Sequence, residues 1–247
     1  MILSWAECGK KEHIEEHVDS MLKLWKIKYR KAYEVSLRRL IGDCADEAVR
    51  CAIILHDVGK LAKFYQEYLR SRFEGKRVSL KGYRHEIASA AIAALLLQGI
   101  EWGDIVAAAT LLSHEPILMG QVEEAGERYF TLTQASRSLR VACSKGVLEL
   151  ETEGVHAINQ ILAREGFQYS LRDSYELSEC LRALKGLVAR VAILGDAAVK
   201  RIKVAALVHV LTVIDSLSAS KTRGDDDEGG TFIFRGAKVA EVAELWP

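Results

Sequence analysis

Proline is almost missing from this chain: only Pro116 and Pro247 occur in 247 residues. Proline removes a backbone donor and breaks helix interiors, so its scarcity leaves long stretches free to coil. The abundance of Ala, Leu, Val, Glu, Lys and Arg favours helix further, and an all-α fold is expected. Cysteine is sparse and unpaired in pattern. Cys8, Cys44, Cys51, Cys143 and Cys180 are odd in number and form no C-x-x-C pair, which excludes a disulfide framework and leaves them as small buried apolar residues. Long apolar runs are absent as well: none approaches 18 uninterrupted residues, and residues 1–11 are too polar for a secretory segment. A cytoplasmic chain with no membrane partner is expected. Excess charge of either sign is lacking, because 34 basic residues face 34 acidic ones. Any nucleic-acid contact must therefore come from local patches. There is no G-x-x-x-x-G-K-[ST] segment, hence no P-loop for nucleotide hydrolysis, and no internal repeat. The length suits a single domain over residues 1–247 with a large core.

What the chain does have is Ile53-Ile54-Leu55-His56-Asp57-Val58-Gly59-Lys60, an apolar run that ends in adjacent histidine and aspartate. A carboxylate in so apolar a segment is costly unless it is partnered. Either His56 and Asp57 satisfy each other in the core, or a bound cation removes the cost. Neighbouring helical residues point about 100° apart, so the pair cannot chelate one ion as an i, i+4 pair would. The imidazole can serve one ion while the carboxylate bridges to a second, which requires further ligands from elsewhere.

Taken in order, Glu12 to about Arg39 reads as one or two helices, with Ile14, Val18, Met21, Leu22, Trp25 and Tyr29 on one face. His17 lies beside that stripe and His13 one turn earlier. Lys23, Lys26, Lys28, Arg30 and Lys31, interleaved with Trp25 and Tyr29, can hold phosphates or form a solvated helix face. Asp43 or Asp46 is expected to cap the helix that leads into His56. Helix resumes over Leu61–Tyr68, and a loop from Phe73 to Arg84 carries Arg72, Lys76, Arg77, Lys81 and Arg84 as a candidate substrate lip. Arg84-His85-Glu86 opens a buried helix with small residues Ala88 to Ala91. A further apolar helix, Asp104–Ser113, ends at Ser113-His114-Glu115-Pro116, where proline stops it beside two potential ligands. Gly146–Thr152 alternates weakly like a strand. Helices are expected over Tyr129–Leu139, Val155–Arg164, Ser174–Leu194 (capped by Asp173 or Ser174) and Asp196–Ser216, the last closing on Asp215. Asp225 to Glu228 reads as an acidic turn, Thr231–Phe234 as a short strand and Val239–Leu245 as a last helix.

The order His17, His56-Asp57 with Gly59-Lys60, His85, His114 and Asp215 resembles the HD-domain metal-dependent phosphohydrolases. More narrowly, Glu16-His17-Val18, Leu55 to Lys60, Tyr83 to Ala90, Ser113-His114 and Asp215-Ser216-Leu217-Ser218 are similar to the CRISPR-associated HD nucleases, the nuclease part of the type I interference helicase-nuclease. That family usually has a second histidine after the one at 114, where this sequence has Glu115, itself a competent ligand. The resemblance implies an all-helical HD-domain bundle binding one or two divalent ions, to which the weak strand patterns add a small β-hairpin appendage. It implies His17, His56, Asp57 and Asp215 around the first and Asp57, His85, His114 and Glu115 around the second. His17 is preferred over His13, Glu115 can equally face solvent, and Lys60 would hold a phosphate oxygen or assist the leaving group beside Asp57. This donor set suits Mn, Ni, Co, Fe or Zn better than Mg. The implied function is hydrolysis of single-stranded DNA, with RNA as a second substrate, in CRISPR interference, fed by a separate helicase and an RNA-guided surveillance complex. The alternatives are an HD-type nucleotide phosphohydrolase and a non-catalytic subunit of a CRISPR complex. Neutral imidazoles as ligands imply that metal is lost on acidification through about pH 6.

Overall fold

The computed structural model describes residues 2–80, 82–113 and 132–223, with side chains through 220. The expectations for His114, Glu115, Lys81, Asp225 to Glu228, Thr231–Phe234 and Val239–Leu245 lie outside those residues.

The chain opens with an antiparallel hairpin, β1 (Leu3–Glu7) and β2 (Lys10–His13), paired through Trp5↔Glu12, Ala6↔Lys11 and Glu7↔Lys10. Its turn places Cys8 and Gly9 at φ 43° and 83°. The left-handed Cys8 is uncommon for a residue with a side chain, which is why the turn carries no obvious sequence signal. The hairpin delivers the chain into α1 (Ile14–Leu24), capped reciprocally by His13 and Glu16. A π-helical turn, Trp25–Tyr29, then shifts the register into α2 (Arg30–Ile41). The expected first helical stretch is thus present from Ile14 onward, but Glu12 belongs to a strand.

The helix α3 (Ala45–Leu55) is the buried centre: Ala48, Ala52, Ile53, Ile54 and Leu55 are all at 0% exposure. Each large side chain removed from water there contributes about 1.5–3 kcal/mol. Neither expected cap is used. Cys44 occupies the N-cap without a side-chain bond, and Asp46 accepts instead from Trp25 Nε1 at 3.0 Å and Arg50 Nε at 3.0 Å. A 3₁₀ turn (Val58–Leu61) follows His56-Asp57 and leads to α4 (Lys63–Phe73), longer at its end than expected.

The helices α5 (His85–Leu96) and α6 (Gly103–Leu112) pack along each other, their alanines allowing close approach. After α7 (Leu132–Ala142), β3 (Cys143–Ser144), β4 (Val147–Glu149) and β5 (Ser174–Glu176) form a small antiparallel sheet in that order, with α8 (Thr152–Arg164) between β4 and β5. Residues 174–176 were expected to begin a helix. They form β5 because Tyr175, 3% exposed, is held opposite Leu148, and α9 (Leu177–Val188) starts only afterwards with Glu176 and Glu179 as its capping box.

A π turn (Ala189–Ile193) precedes the 27-residue α10 (Ala197–Arg223), which packs against α1, α2, α3 and α6. Ala197–Ser220 is long and apolar enough to cross a membrane by length and composition. Here its apolar side, including Val204, Leu207, Leu211 and Ile214, fills the bundle. The all-α expectation holds for the bundle, while the β appendage is two small sheets, one of them at the unanticipated N-terminus.

Candidate metal centre

Four separate elements bring polar side chains to one point inside this bundle. The helix α3 ends at His56, whose backbone N–H still bonds Ala52 O, and Asp57 follows at φ −110°, ψ 7°, turning its carboxylate inward. The helix α1 contributes His17 one turn from its start, α5 contributes its first residue, His85, and α10 contributes Asp215 near its end.

His17 Nε2 lies 3.1 Å from Asp215 Oδ1 and 3.8 Å from Asp57 Oδ2. His56 Nε2 lies 3.3 Å from Asp57 Oδ2 and 4.0 Å from Asp215 Oδ1. The other Asp57 oxygen, Oδ1, faces His85 Nε2 at 3.2 Å. Asp57 therefore presents one oxygen to the His17/His56 side and one to the His85 side, the disposition expected of a bridging carboxylate. Ligand atoms of His17, His56 and Asp57 all fall within 4.8 Å of one another.

The donor chemistry fits a divalent ion. His17 Nε2, His56 Nε2 and both Asp57 oxygens are buried with no well-aligned hydrogen bond, and a buried polar group left so costs about 1–3 kcal/mol. Four of them facing one another are accounted for by a shared cation. The opposite ring nitrogens are already committed. His56 Nδ1 donates to Ile53 O at 2.8 Å, and His17 Nδ1 to Glu12 Oε1 at 3.2 Å. Because a carbonyl and a carboxylate can only accept, each Nδ1 carries a proton and Nε2 is the nitrogen that can bind a metal once deprotonated. Lys60 Nζ sits 2.6 Å from Asp57 Oδ2 and balances its charge.

Electrostatics reinforce the arrangement. Burial pushes His17 toward neutrality, yet the neighbouring carboxylates of Asp215, Glu12 and Asp57 outweigh it, raising its pKa to about 9. Burial likewise works against ionised Asp57, but the charges of His56 and Lys60 hold it well below the usual carboxylate range. Asp215 is depressed despite its desolvation, chiefly by His17. Lys60 is raised because Asp57 outweighs the cost of its burial. His17, His56 and Asp57 are at most 1% exposed, whereas the Asp215 and His85 side chains keep 23% and 14%. That side is the solvent mouth.

Of the sequence candidates, His17, His56, Asp57, Lys60, His85 and Asp215 converge, and His13 instead caps α1 with Nδ1 3.4 Å from Ile2 O. The candidate lip is largely engaged with its own surface: Arg72 pairs with Glu7 at 2.5 Å, Lys76 with Glu74 at 2.6 Å and Arg84 with Glu86 at 2.5 Å. Arg77 is exposed on the loop. Glu12, only 1% exposed, escaped the sequence reading. It lies on a strand five residues before His17, outside any helical spacing, and only the β1–β2 pairing turns it toward the imidazole.

The chain is 31% identical over 234 residues to a CRISPR-associated endonuclease Cas3-HD of Thermoproteus tenax, covering 92% of each chain. It is 31% identical over 147 residues to the protein of that name from Pyrococcus furiosus and 34% over 134 residues to that from Methanocaldococcus jannaschii. These two matches span 59% and 53% of those relatives' length, little more than half. In fold, the chain resembles a solved CRISPR-associated Cas3 HD domain protein from Methanocaldococcus jannaschii, with a TM-score of 0.60 at 22% identity over 81% of this chain and 95% of that one. No protein-family model matches the chain.

Proposed function

From the premise that this chain belongs to the CRISPR-associated Cas3-HD endonuclease family, we propose that it hydrolyses phosphodiester bonds of single-stranded DNA, and of RNA, with divalent transition metal. The observation that carries this reading is the meeting of buried ligand atoms from His17, His56 and Asp57 within 4.8 Å of one another, beside a solvent mouth at Asp215 and His85. His17, His56, Asp57 and Asp215 would hold one ion. Asp57 and His85 would contribute to a second, completed by His114 and Glu115. Bound metal supplies Lewis acidity toward the phosphate oxygens and an activated water near neutral pH.

The rest of the chemistry belongs to the chain. Glu12 and Ile53 O hold the two imidazoles with their free nitrogens inward. Lys60, kept protonated by Asp57, is placed to shift onto a phosphate oxygen or the departing oxygen as negative charge develops there. The buried inner wall excludes bulk water, and the open side admits the scissile phosphate. Arg72, Lys76, Arg77, Lys81 and Arg84 would guide the strand toward that opening, in keeping with backbone-tracking cationic grooves. A separate helicase and an RNA-guided complex would deliver the strand.

Incubating the protein with a labelled single-stranded oligonucleotide and, separately, with deoxynucleoside triphosphates in manganese tests the reading. Oligonucleotide cleavage abolished in Asp57→Ala is expected. Triphosphate turnover with an intact oligonucleotide would assign a nucleotide phosphohydrolase, and no turnover by a folded protein in any of the metals would assign a non-catalytic subunit.

A further inference from the structure

The 3₁₀ turn between Asp57 and Leu61 is gripped from both sides by buried side chains that touch no candidate ligand atom. Gly59 N donates to Ser89 Oγ at 2.8 Å, and Tyr83 Oη donates to Gly59 O at 2.7 Å. On the far side, Gln66 Nε2 donates to Lys60 O at 2.7 Å and to Leu3 O at 2.8 Å, while its Oε1 accepts from Leu3 N at 3.0 Å. Ser89 and Gln66 are at 0% exposure and Tyr83 at 3%. The turn also comes so close to α5 that a Cβ on Gly59 would sit 2.1 Å from His85 O. Only glycine permits that approach.

These bonds connect the elements that carry the candidate ligands. Ser89 follows His85 by one turn of α5 and Tyr83 lies two residues before that helix begins, so the pair fixes the turn bearing Asp57 against the helix bearing His85. Their grip spans the place where Asp57 Oδ1 meets His85 Nε2 at 3.2 Å. Gln66 ties the same turn to β1, whose partner strand β2 carries Glu12 and, through it, His17.

We propose that Tyr83, Ser89 and Gln66 are positioning residues for the metal centre: by holding the backbone of Gly59 and Lys60 they set where Asp57 lies between its flanking histidines. The inference rests on the metal-centre reading above. Outer groups that orient ligands typically control metal affinity about 10–100-fold. These three act through backbone rather than on a ligand directly, so the low end of that range applies.

The test uses the full chain and Co²⁺ as the probe, titrated by its visible absorption, with the melting temperature of each metal-free protein measured alongside. Ser89→Ala and Tyr83→Phe are each expected to weaken Co²⁺ binding about tenfold and to alter the visible bands. Ser89→Thr, which keeps the hydroxyl, is expected to restore binding to within about threefold. Variants that melt lower yet bind Co²⁺ with wild-type affinity and spectrum would show that the bonds only hold the fold, and would overturn the proposal while leaving the metal centre intact. Affinity loss that Ser89→Thr does not repair would overturn it too. Failure of the wild-type protein to bind Co²⁺ at all would instead remove the metal-centre reading, and this inference with it.

Discussion

Glu12→Gln isolates the part of the site that orients its metal ligand from the part that binds. Glu12 is 1% exposed and its Oε1 lies 3.2 Å from His17 Nδ1, so the carboxylate both aims the ring and raises the basicity of its inward-facing Nε2. The glutamine amide can still accept from Nδ1–H, which preserves the tautomer while removing the charge. Glu12→Ala removes both and strands a buried N–H. Partners of this kind govern about 10–100-fold in affinity, equivalent to about 1.4–2.8 kcal/mol. Glu12→Gln should therefore fall near the lower bound and Glu12→Ala near the upper. Calorimetric titration of Mn²⁺ or Co²⁺ at a fixed pH of 8 measures the pair against wild type. Affinities for both variants within about threefold of wild type would refute the claim that His17 Nε2 is a ligand whose direction Glu12 sets. Equal loss in both would say that charge alone, and not ring orientation, is what Glu12 supplies.

Asp57→Ala should lose bound metal on elemental analysis and, because it leaves Lys60 at 7% exposure with its nearest carboxylate gone, should also destabilise the metal-free protein by about 3 kcal/mol. Adding Lys60→Met should recover stability in urea unfolding but neither metal nor cleavage. Lys60→Met alone should keep metal content while lowering cleavage about a hundredfold; unchanged turnover would remove Lys60 from the chemistry. Gly59→Ala drives a Cβ toward His85 O, and overpacking of this kind costs about 1–3 kcal/mol or more, read as a lowered melting temperature. Because His17 is raised from 6.5 to about 9, its contribution to metal-free stability is complete below pH 6.5 and disappears as pH climbs through about 9. Metal binding must displace that proton, so the melting-temperature gain from added Mn²⁺ should grow from pH 6.5 to 9; a gain independent of pH there would contradict the raised pKa.

The bundle was legible wherever helical spacing and burial agreed. The run into Leu55, the start of α5 at His85 and the apolar α10 all follow from periodic apolar residues uninterrupted by proline. Legibility failed where tertiary contacts overrode local chemistry. Asp46 has the composition of a cap but is drawn to the Trp25 indole and to Arg50. Asp173-Ser174 looks like a helix start, yet Tyr175 is placed against Leu148 and coiling waits until Leu177. The first hairpin turns at Cys8-Gly9, and cysteine does not advertise a left-handed position. The π turns at Trp25 and Ala189 arise from packing and leave no mark in composition.

Within the site, legibility followed charge. A histidine or aspartate inside an apolar helix stands out because its burial demands a partner, which marks His56, Asp57 and Asp215, whereas the resemblance to the HD-domain hydrolases is what joins His17 to them. Glu12 does not stand out, since a glutamate among Lys10, Lys11 and His13 reads as surface until the strand pairing buries it. Its burial changes the charge balance. Among the described residues, Glu12, Asp57 and Asp215 set three negative charges against the single ammonium of Lys60, leaving the cluster short of positive charge in a region with little water. Proton and metal ion compete to supply it at His17, which explains how a buried histidine acquires a raised pKa. Acid loss of metal should accordingly begin well above the pH of about 6 suggested by unperturbed imidazole, with apparent affinity rising about tenfold per pH unit up to about 9. A binding curve that levels off by pH 7 would mean that the cluster draws its positive charge from somewhere other than His17.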